Sequence, residues 1–567
     1  MTARFDCSRR TMVGGTAALF GASALRATTS DPRSADLIVR NARVYTGEAA
    51  SPQAQALAVR DGRIIAVGAN DAISGLSGKG TEILDARGMT VLPGFIDCHV
   101  HADGETLLYE VLVGNPFEVE FVTIDSIIAK LKARAAKTPP GYWVEGHFYD
   151  DTKVKDGRLI TRADLDRVST EHPVAVYHRG GHTSFYNSKA FALAGVTKAT
   201  PQPFGGTFDR DASGELNGRV TDLAQDVLAK GGERREFSEA EKFARAKAGL
   251  AHISKQFARY GLTSVHHEGG NFSALLQVRD DGELMHRVSY EADGSMVEAM
   301  IANGWRTGFG DDWVRLGATS EHTVDGSFSE RTMSIRAGYP GRNPPYHGNV
   351  TATQKDLDGW VERVWRAGIQ PNCHTNGDVA IDMYLTSLER ARRLFPRRDV
   401  RPKFTHATLA YGSLIARMKA LDAVPAPFTS YAYFNPDKFK FYGEALMQNI
   451  MPYRSYLDAG IRVAGGSDFP PGPFSPLLGI QGMVTRTGWN GETWGANQRI
   501  SVAEAIRVFT ANGAYNSHEE DRKGSIAPGK LADFVILADD PHQGDPSRIK
   551  DIQIVRTVTG GRTVYQA

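Results

Sequence analysis

The chain of 567 residues carries 66 Lys and Arg against 65 Asp and Glu, which gives a formal net charge of +1 at pH 7. This balance argues against nucleic acid or an anionic membrane surface as the main partner. With 23% charged and 41% hydrophobic residues the chain is globular rather than disordered, and its 3 Cys exclude a disulfide scaffold and a four-cysteine zinc site.

Residues 1–27 have the layout of an export signal. Ser8-Arg9-Arg10 precedes an uncharged run of small and apolar residues from 12 to 25, and Ala22-Ser23-Ala24 is suited to cleavage. The paired arginines are similar to those of a twin-arginine signal, which predicts periplasmic delivery or secretion through the twin-arginine export machinery. The run is too short to span a bilayer, and no other segment reaches about 18 apolar residues, so no stable membrane span is expected.

Short alternating strands occupy both ends of the remaining chain. Residues 35–45 alternate as a strand, and residues 57–68 form a predicted hairpin around an Asp-Gly turn. The same pattern returns in residues 532–537 and 555–565. We therefore expect one small β-sandwich domain that combines residues 34–90 with residues 520–567.

The middle of the chain, residues 91–519, alternates buried apolar strands with helices. Capping boxes at Thr351 to Gln354 and Ser501 to Glu504 open amphipathic segments. This alternation predicts an α/β fold, a (β/α)8 TIM barrel. The stretch around 103–255 is long for one crossover and predicts an insertion.

Four histidines and one aspartate fall where this barrel would place a metal. His99 and His101 are two residues apart at the end of a buried strand, so their side chains face the same way. His374, His406 and Asp468 each end a further predicted strand. Because strand ends converge on the catalytic face of a barrel, the set favours a metal hydrolase that holds Zn, Mn, Fe, Co or Ni.

Six short motifs, spread over the chain, together form a recognisable pattern. They are residues 92–101 (LPGFIDCHVH), 180–190 (GGHTSFYNSKA), 325–327 (DGS), 374–378 (HTNGD), 466–468 (GSD) and 524–533 (GSIAPGKLAD). With these motifs the chain resembles the amidohydrolase superfamily over nearly its whole length. It is most similar to the YtcJ-like, or amidohydrolase-3, branch, which includes N-substituted formamide deformylase.

The resemblance implies a barrel with one or two divalent metal ions, zinc being favoured. His99 and His101 would bind the more buried metal, and His374 and His406 the more exposed one. Asp468 would touch the buried metal and serve as general acid and base. A metal-bound hydroxide would then hydrolyse a non-peptide C–N bond of a small-molecule substrate: an amide, formamide, carbamate or cyclic amide.

One position departs from the family pattern. Many relatives have a lysine four residues before the Asp-Gly pair, and it can be carboxylated to bridge two metals; here that position is Glu321. A glutamate also offers two oxygens and a negative charge, so Glu321 is the favoured bridging ligand. Glu268 is the rival carboxylate, and if neither bridges, the site holds a single metal.

Other residues are candidates for outer roles. His182 matches a motif of the branch and Arg331 follows the Asp-Gly pair, so both are predicted to bind substrate. Asp378 could orient a ligand imidazole, and the aromatic stretch 428–442 could either wall an apolar pocket or form the aromatic packing of an insertion. A deaminase, an ester or lactone hydrolase, or a non-catalytic binding barrel remain as alternatives, and a homo-oligomer is compatible with the sequence.

Overall fold

The computed structural model describes residues 34–102 and 104–567, so the predicted export signal in residues 1–27 lies outside the described residues. Its centre is a parallel barrel whose strands are buried along almost their whole length. The barrel strands in chain order are Phe95–Val100, Leu262–Glu268, Arg287–Ala292, Val314–Thr319, Asn372–Thr375, Lys403–His406 and Val424–Ala426.

Residues 463–468 complete the barrel as its eighth segment. On one side, Gly466 forms a parallel β-bridge with Phe428, which lies two residues after the seventh strand. On the other side, the N–H of Cys98 on the first strand donates to the Gly465 carbonyl at 2.9 Å. The N–H of Asp468 donates in turn to the His99 carbonyl at 2.9 Å. A side chain on Gly466 would collide with His99 at 2.9 Å, which explains the glycine at this crossing. The sequence-based fold class, a TIM barrel with a small β-sandwich domain, is confirmed.

Helices connect and cover these strands. In chain order they are Glu239–Arg259, Phe272–Asp280, Gly294–Asn303, Gln354–Ala367, Asp378–Leu394, Gly412–Ala420, Tyr431–Phe434, Pro436–Phe439, Gly443–Met447, Tyr453–Asp458, Pro476–Thr485, Val502–Val508 and Ala511–Asn516. The capping box of Ser501 with Glu504 is present as expected. The capping box predicted at Thr351 and Gln354 is wrong by two residues. The residue that caps helix Gln354–Ala367 is Thr353, whose side chain accepts from the Asp356 N–H.

Two sheets from both chain ends form the small domain. One contains, in spatial order, Arg63–Gly68, Ala56–Arg60, Leu37–Arg40 and Glu82–Asp85; the other contains Arg562–Gln566, Ile554–Thr559, Phe534–Leu537, Thr90–Pro93, Arg43–Tyr45 and Gln53–Ala54. The hairpin turn at Asp61-Gly62 has positive φ at both residues, as a tight hairpin requires. A buried ion pair of Arg287 with Asp533, at 2.7 Å, joins this domain to the barrel.

The chain between the first and second barrel strands forms a separate six-stranded sheet. Its spatial order is Gly206–Arg210, Leu216–Asp222, Thr183–Tyr186, Val174–His178, Val144–Tyr149 and Val111–Leu112, with helices Ile124–Ala135, Arg162–Asp166, Ser188–Leu193 and Gln225–Ala229 around it. Helix Gly104–Tyr109, just before it in the chain, packs on the barrel helix Glu239–Arg259. We call this unit, residues 111–229, the inserted sheet. Within residues 34–102 and 104–567, no helix has both the length and the apolar character needed to cross a membrane.

Candidate metal centre

The carboxyl ends of the barrel strands bring the predicted ligands to one point. His99 lies on the first strand and His101 directly after it, and Glu321 follows the fourth strand by two residues. His374 lies on the fifth strand and His406 ends the sixth. Asp468 ends the eighth segment, so residues up to 369 positions apart in the chain share one site.

Glu321 lies at the centre of the four histidines. Its Oε2 is 3.5 Å from His99 Nε2, 3.4 Å from His374 Nδ1 and 3.5 Å from His406 Nε2. Its Oε1 is 4.0 Å from His101 Nε2. Burial alone would raise the pKa of Glu321, but the surrounding imidazoles, His99 foremost, hold it well below the usual range. The carboxylate is therefore ionised and faces ring nitrogens on several sides.

Asp468 touches the same nitrogens from the eighth segment. Its Oδ1 is 3.3 Å from His99 Nε2 and 3.1 Å from His101 Nε2, and its Oδ2 is 3.9 Å from His406 Nε2. Its backbone has φ of +54°, and that of His406 has +72°. Left-handed backbone at residues other than glycine costs about 1–2 kcal/mol and is concentrated at functional sites. The side chains of Asp468 and His406 are thus oriented by strained backbone.

These atoms fit a divalent metal ion by their chemistry. His99 Nε2 and Glu321 Oε2 are buried and have no hydrogen-bond partner, although buried polar atoms are nearly always paired. His374 Nδ1 and His406 Nε2 lie only 3.0 Å apart. Imidazole nitrogens with carboxylate oxygens form the donor set of zinc and similar ions. The unpaired atoms are the ones that such an ion would satisfy.

Glu268, the rival carboxylate, lies behind Glu321. Its two oxygens accept from the backbone N–H of Glu321 at 3.2 and 3.1 Å. Burial, reinforced by the like charge of Glu321, raises the pKa of Glu268 to about 8. The geometry therefore puts Glu321 among the imidazoles and gives Glu268 a supporting position.

A buried layer beneath the site escaped the sequence analysis. Glu291 on the third strand lies with Oε2 3.2 Å from His99 Nδ1, and its other oxygen forms an ion pair with Lys403 on the sixth strand. Both side chains are fully buried. The signal available in the sequence was Lys403, a charged residue within the predicted strand that leads to His406.

The two predicted substrate residues have different surroundings. The ring of His182, on the inserted sheet's side, lies 4.8 Å from that of His374, and its Nδ1 is 2.7 Å from Asp222 Oδ1. Burial lowers the pKa of His182, but the hydrogen bond and charge of Asp222, together with the charges of Glu330 and Glu321, outweigh burial and raise it to about 9. Arg331 instead forms an ion pair with Asp151 and lines a neighbouring cavity.

A cavity of about 580 Å³ opens above the proposed ligands. It is lined by His101, Thr106, His147, Phe148, Tyr177, His178, Arg179, Gly180, Gly181, His182, Glu321, Thr323, His374, His406, Asp468, Pro470 and Pro471. The lining combines apolar surface from Phe148, Tyr177 and Pro470 with the carboxylates and imidazoles of the proposed metal centre. The volume suits a small organic molecule.

Two further sequence-based expectations differ from the structure. The aromatic stretch 428–442 is mostly buried packing: the Phe428 ring stacks on His406 at 4.3 Å, and Tyr431 stacks on Phe428 at 3.8 Å. Asp378 accepts from the Arg336 N–H at 2.9 Å and from the Tyr411 hydroxyl at 3.0 Å. It is the Asn376 side chain that contacts His374, with Nδ2 2.9 Å from Nε2.

Known proteins resemble the chain over most of its length. The model of the amidohydrolase family matches residues 82–565. N-substituted formamide deformylase of Arthrobacter pascens is 28% identical over 558 residues, 94% of this chain and 98% of that protein. Putative amidohydrolase YtcJ of Bacillus subtilis is 28% identical over 539 residues, 92% of this chain and 98% of that protein.

A solved structure has the same fold. An uncharacterized metal-dependent hydrolase from Pyrococcus horikoshii superposes with a TM-score of 0.68, covering 90% of this chain and 99% of the other at 20% sequence identity.

Proposed function

The chain belongs to the amidohydrolase family and is a hydrolase of carbon–nitrogen bonds other than peptide bonds, and on this premise we propose its reaction. It hydrolyses a small amide, formamide, carbamate or cyclic amide, with one or two divalent metal ions and with Asp468 as general acid and base. The observation that carries this proposal is the convergence of four imidazoles and two carboxylates around unpaired buried atoms.

The proposed ligands divide into two groups. His99, His101 and Asp468 would hold one ion, since their donor atoms lie within 4.8 Å of one another. His374 and His406 would hold a second, and Glu321 touches both groups and would bridge them. The chemistry that such an ion supplies when bound is Lewis acidity, which polarises a carbonyl and lowers the pKa of water to about 7. Zinc is the favoured ion because nitrogen and carboxylate ligands suit it.

Asp468 is the proposed carrier of the proton. Its Oδ1 lies on the His99 and His101 side and its Oδ2 on the His406 side, so the carboxylate spans both ligand groups. As the water oxygen forms a bond to the carbonyl carbon, Asp468 accepts the water proton. It then donates that proton to the nitrogen as the C–N bond breaks. Burial raises the pKa of Asp468, but the neighbouring imidazoles, His406 foremost, outweigh burial and lower it, so the carboxylate is deprotonated before the proton arrives.

The cavity suggests how the substrate is held. The scissile carbonyl would lie at the end with Glu321 and Asp468, and an apolar substituent on nitrogen would lie against Phe148, Tyr177 and Pro470. His182 would contact the substrate from the inserted sheet's side. Because Asp222 holds its Nδ1, its Nε2 is the nitrogen left for that contact. The relative that acts on N-substituted formamides supports this substrate class.

Metal analysis combined with a substrate screen tests the proposal. We expect at least one equivalent of a transition metal in the purified protein, with amine release from formamides, N-acyl amines or carbamates that is lost on chelation and restored by zinc. Metal content well below one equivalent after purification in zinc-containing buffer would contradict the metal centre. Metal-loaded protein that hydrolyses esters or lactones but no C–N substrate would contradict the proposed reaction.

A further inference from the structure

An ion pair lies fully buried beneath the metal centre. The Glu291 and Lys403 side chains are both inaccessible to solvent, on the third and sixth barrel strands. Barrel interiors are normally filled with branched apolar side chains. Burying two charges carries a desolvation penalty that can exceed their mutual attraction, and replacement by apolar residues is often stabilising. Stability alone therefore gives little reason to keep this pair.

The pair is joined directly to one proposed ligand. Glu291 Oε2 lies 3.2 Å from His99 Nδ1, the ring nitrogen on the far side from Glu321 and Asp468. A carboxylate can only accept, so His99 carries its proton on Nδ1 when this bond forms. The other ring nitrogen, Nε2, then presents a lone pair, and Nε2 is the buried atom without a hydrogen-bond partner.

Lys403 holds this arrangement in two ways. Its Nζ is paired with the second oxygen of Glu291, which leaves Oε2 free to face His99. The same Nζ donates to the backbone carbonyl of Cys98 at 2.5 Å, on the residue that directly precedes His99. The ammonium group thus fixes both the carboxylate and the strand that carries the imidazole.

We propose that Glu291 is a positioning residue that sets the tautomer and orientation of His99, and that Lys403 positions Glu291. The inference rests on the proposed function, because the purpose of this tautomer is to aim Nε2 at a metal ion. Outer carboxylates that hold a ligand imidazole typically change metal affinity by about 10–100-fold when removed.

Two other roles for Glu291 fit the surroundings less well. His99, Glu268 and Glu291 also have donor atoms within 4.8 Å of one another, but the Lys403 ammonium already neutralises Glu291 and would repel a cation there. His266 lies farther away, with Nδ1 3.8 Å from Glu291 Oε1. His99 is therefore the imidazole that Glu291 holds most closely.

The test uses paired substitutions, because a single substitution would leave one buried charge without its partner and destabilise the fold. The double variant E291Q/K403M removes both charges but keeps an amide oxygen that can accept from His99. The matched variant E291L/K403M removes the same charges and the acceptor. Zinc affinity is measured by chelator competition, the cobalt-loaded absorption spectrum reports the ligand field, and apo-protein melting reports the fold.

We expect E291Q/K403M to bind zinc within a few-fold of the unmodified protein, and E291L/K403M to bind it about 10–100-fold more weakly with an altered cobalt spectrum. Cooperative melting of both apo variants will show that each is folded, since neither keeps an unpaired charge at position 291 or 403. Equal zinc affinities for the two variants would overturn the proposal. E291M/K403M, which also lacks a carboxylate or amide acceptor, replaces the leucine variant if that variant fails to fold. Absence of metal from the unmodified protein would instead defeat the proposed function itself.

Discussion

Replacing Glu321 by Gln removes one negative charge from the middle of the proposed metal centre and preserves the shape of the side chain. The shortest contact of its carboxylate is 3.4 Å, from Oε2 to His374 Nδ1. Two unit charges about 3.5 Å apart interact by about 5 kcal/mol at an effective dielectric constant of ~20. About 1.4 kcal/mol corresponds to a tenfold change in affinity. Loss of this carboxylate charge should therefore weaken metal binding by more than ~1,000-fold for each unit of positive charge on the ion.

We therefore expect Glu321→Gln to lose at least one tightly bound metal equivalent. The assay is elemental analysis after equilibration with a zinc-buffered chelator, followed by titration of zinc back into the protein. Glu268→Gln is the matched control: its amide oxygen can still accept from the Glu321 N–H, so this variant should keep its metal. Full metal content in Glu321→Gln, or greater loss in Glu268→Gln, would refute the assignment of the bridging carboxylate.

Further predictions concern the reaction, the substrate and the route of export. Asp468→Asn should lower turnover by about 10²–10⁴-fold while retaining most of the metal, and an active variant would contradict its proton-transfer role. His182→Gln should raise KM with metal content unchanged, because its proposed contact is with substrate; an unchanged KM in activity assays would remove it from the binding site. Phe148→Ala should lower kcat/KM about 10–100-fold for N-aryl substrates and far less for N-methyl ones, from the lost burial of about 1.5–3 kcal/mol; equal losses for both would contradict the apolar wall. We also propose that residues 1–27 direct twin-arginine export, so that changing Arg9 and Arg10 to Lys traps the precursor in the cytoplasm; normal periplasmic recovery on cell fractionation would contradict this.

The parts of the site that depend on local pattern were predictable from the sequence. His99 and His101 are two residues apart at the end of one strand, and the other proposed ligands lie at or just beyond the ends of further strands. The barrel itself brings such ends together, so their meeting needs no knowledge of side-chain packing. Glu321 could be named because it stands where the resembling family has its lysine, four residues before the Asp-Gly pair, although its precedence over Glu268 required distances.

The parts that depend on packing between distant segments were not predictable. Glu291 and Lys403 are 112 residues apart, and the reason for their burial appears only when both lie beneath His99. Arg331 has a plausible position along the chain, yet its nearest carboxylate, Asp151, comes from the inserted sheet. The displaced helix cap has a simpler cause, because Thr351 and Thr353 both have a suitable partner three residues later and only tertiary structure decides between them.

The cavity is lined by two different parts of the chain. Its metal end is built from barrel strand ends such as those of His374 and His406, whereas Phe148, Tyr177 and His182 come from the inserted sheet. In the proposed binding mode, substitutions in the inserted sheet would reshape the substrate range, because the proposed metal ligands all come from the barrel. An enzyme built in this way could acquire new substrates through changes in the inserted sheet while the barrel keeps the same reaction. Residues 111–229 are therefore the region to randomise when a different amide is the target.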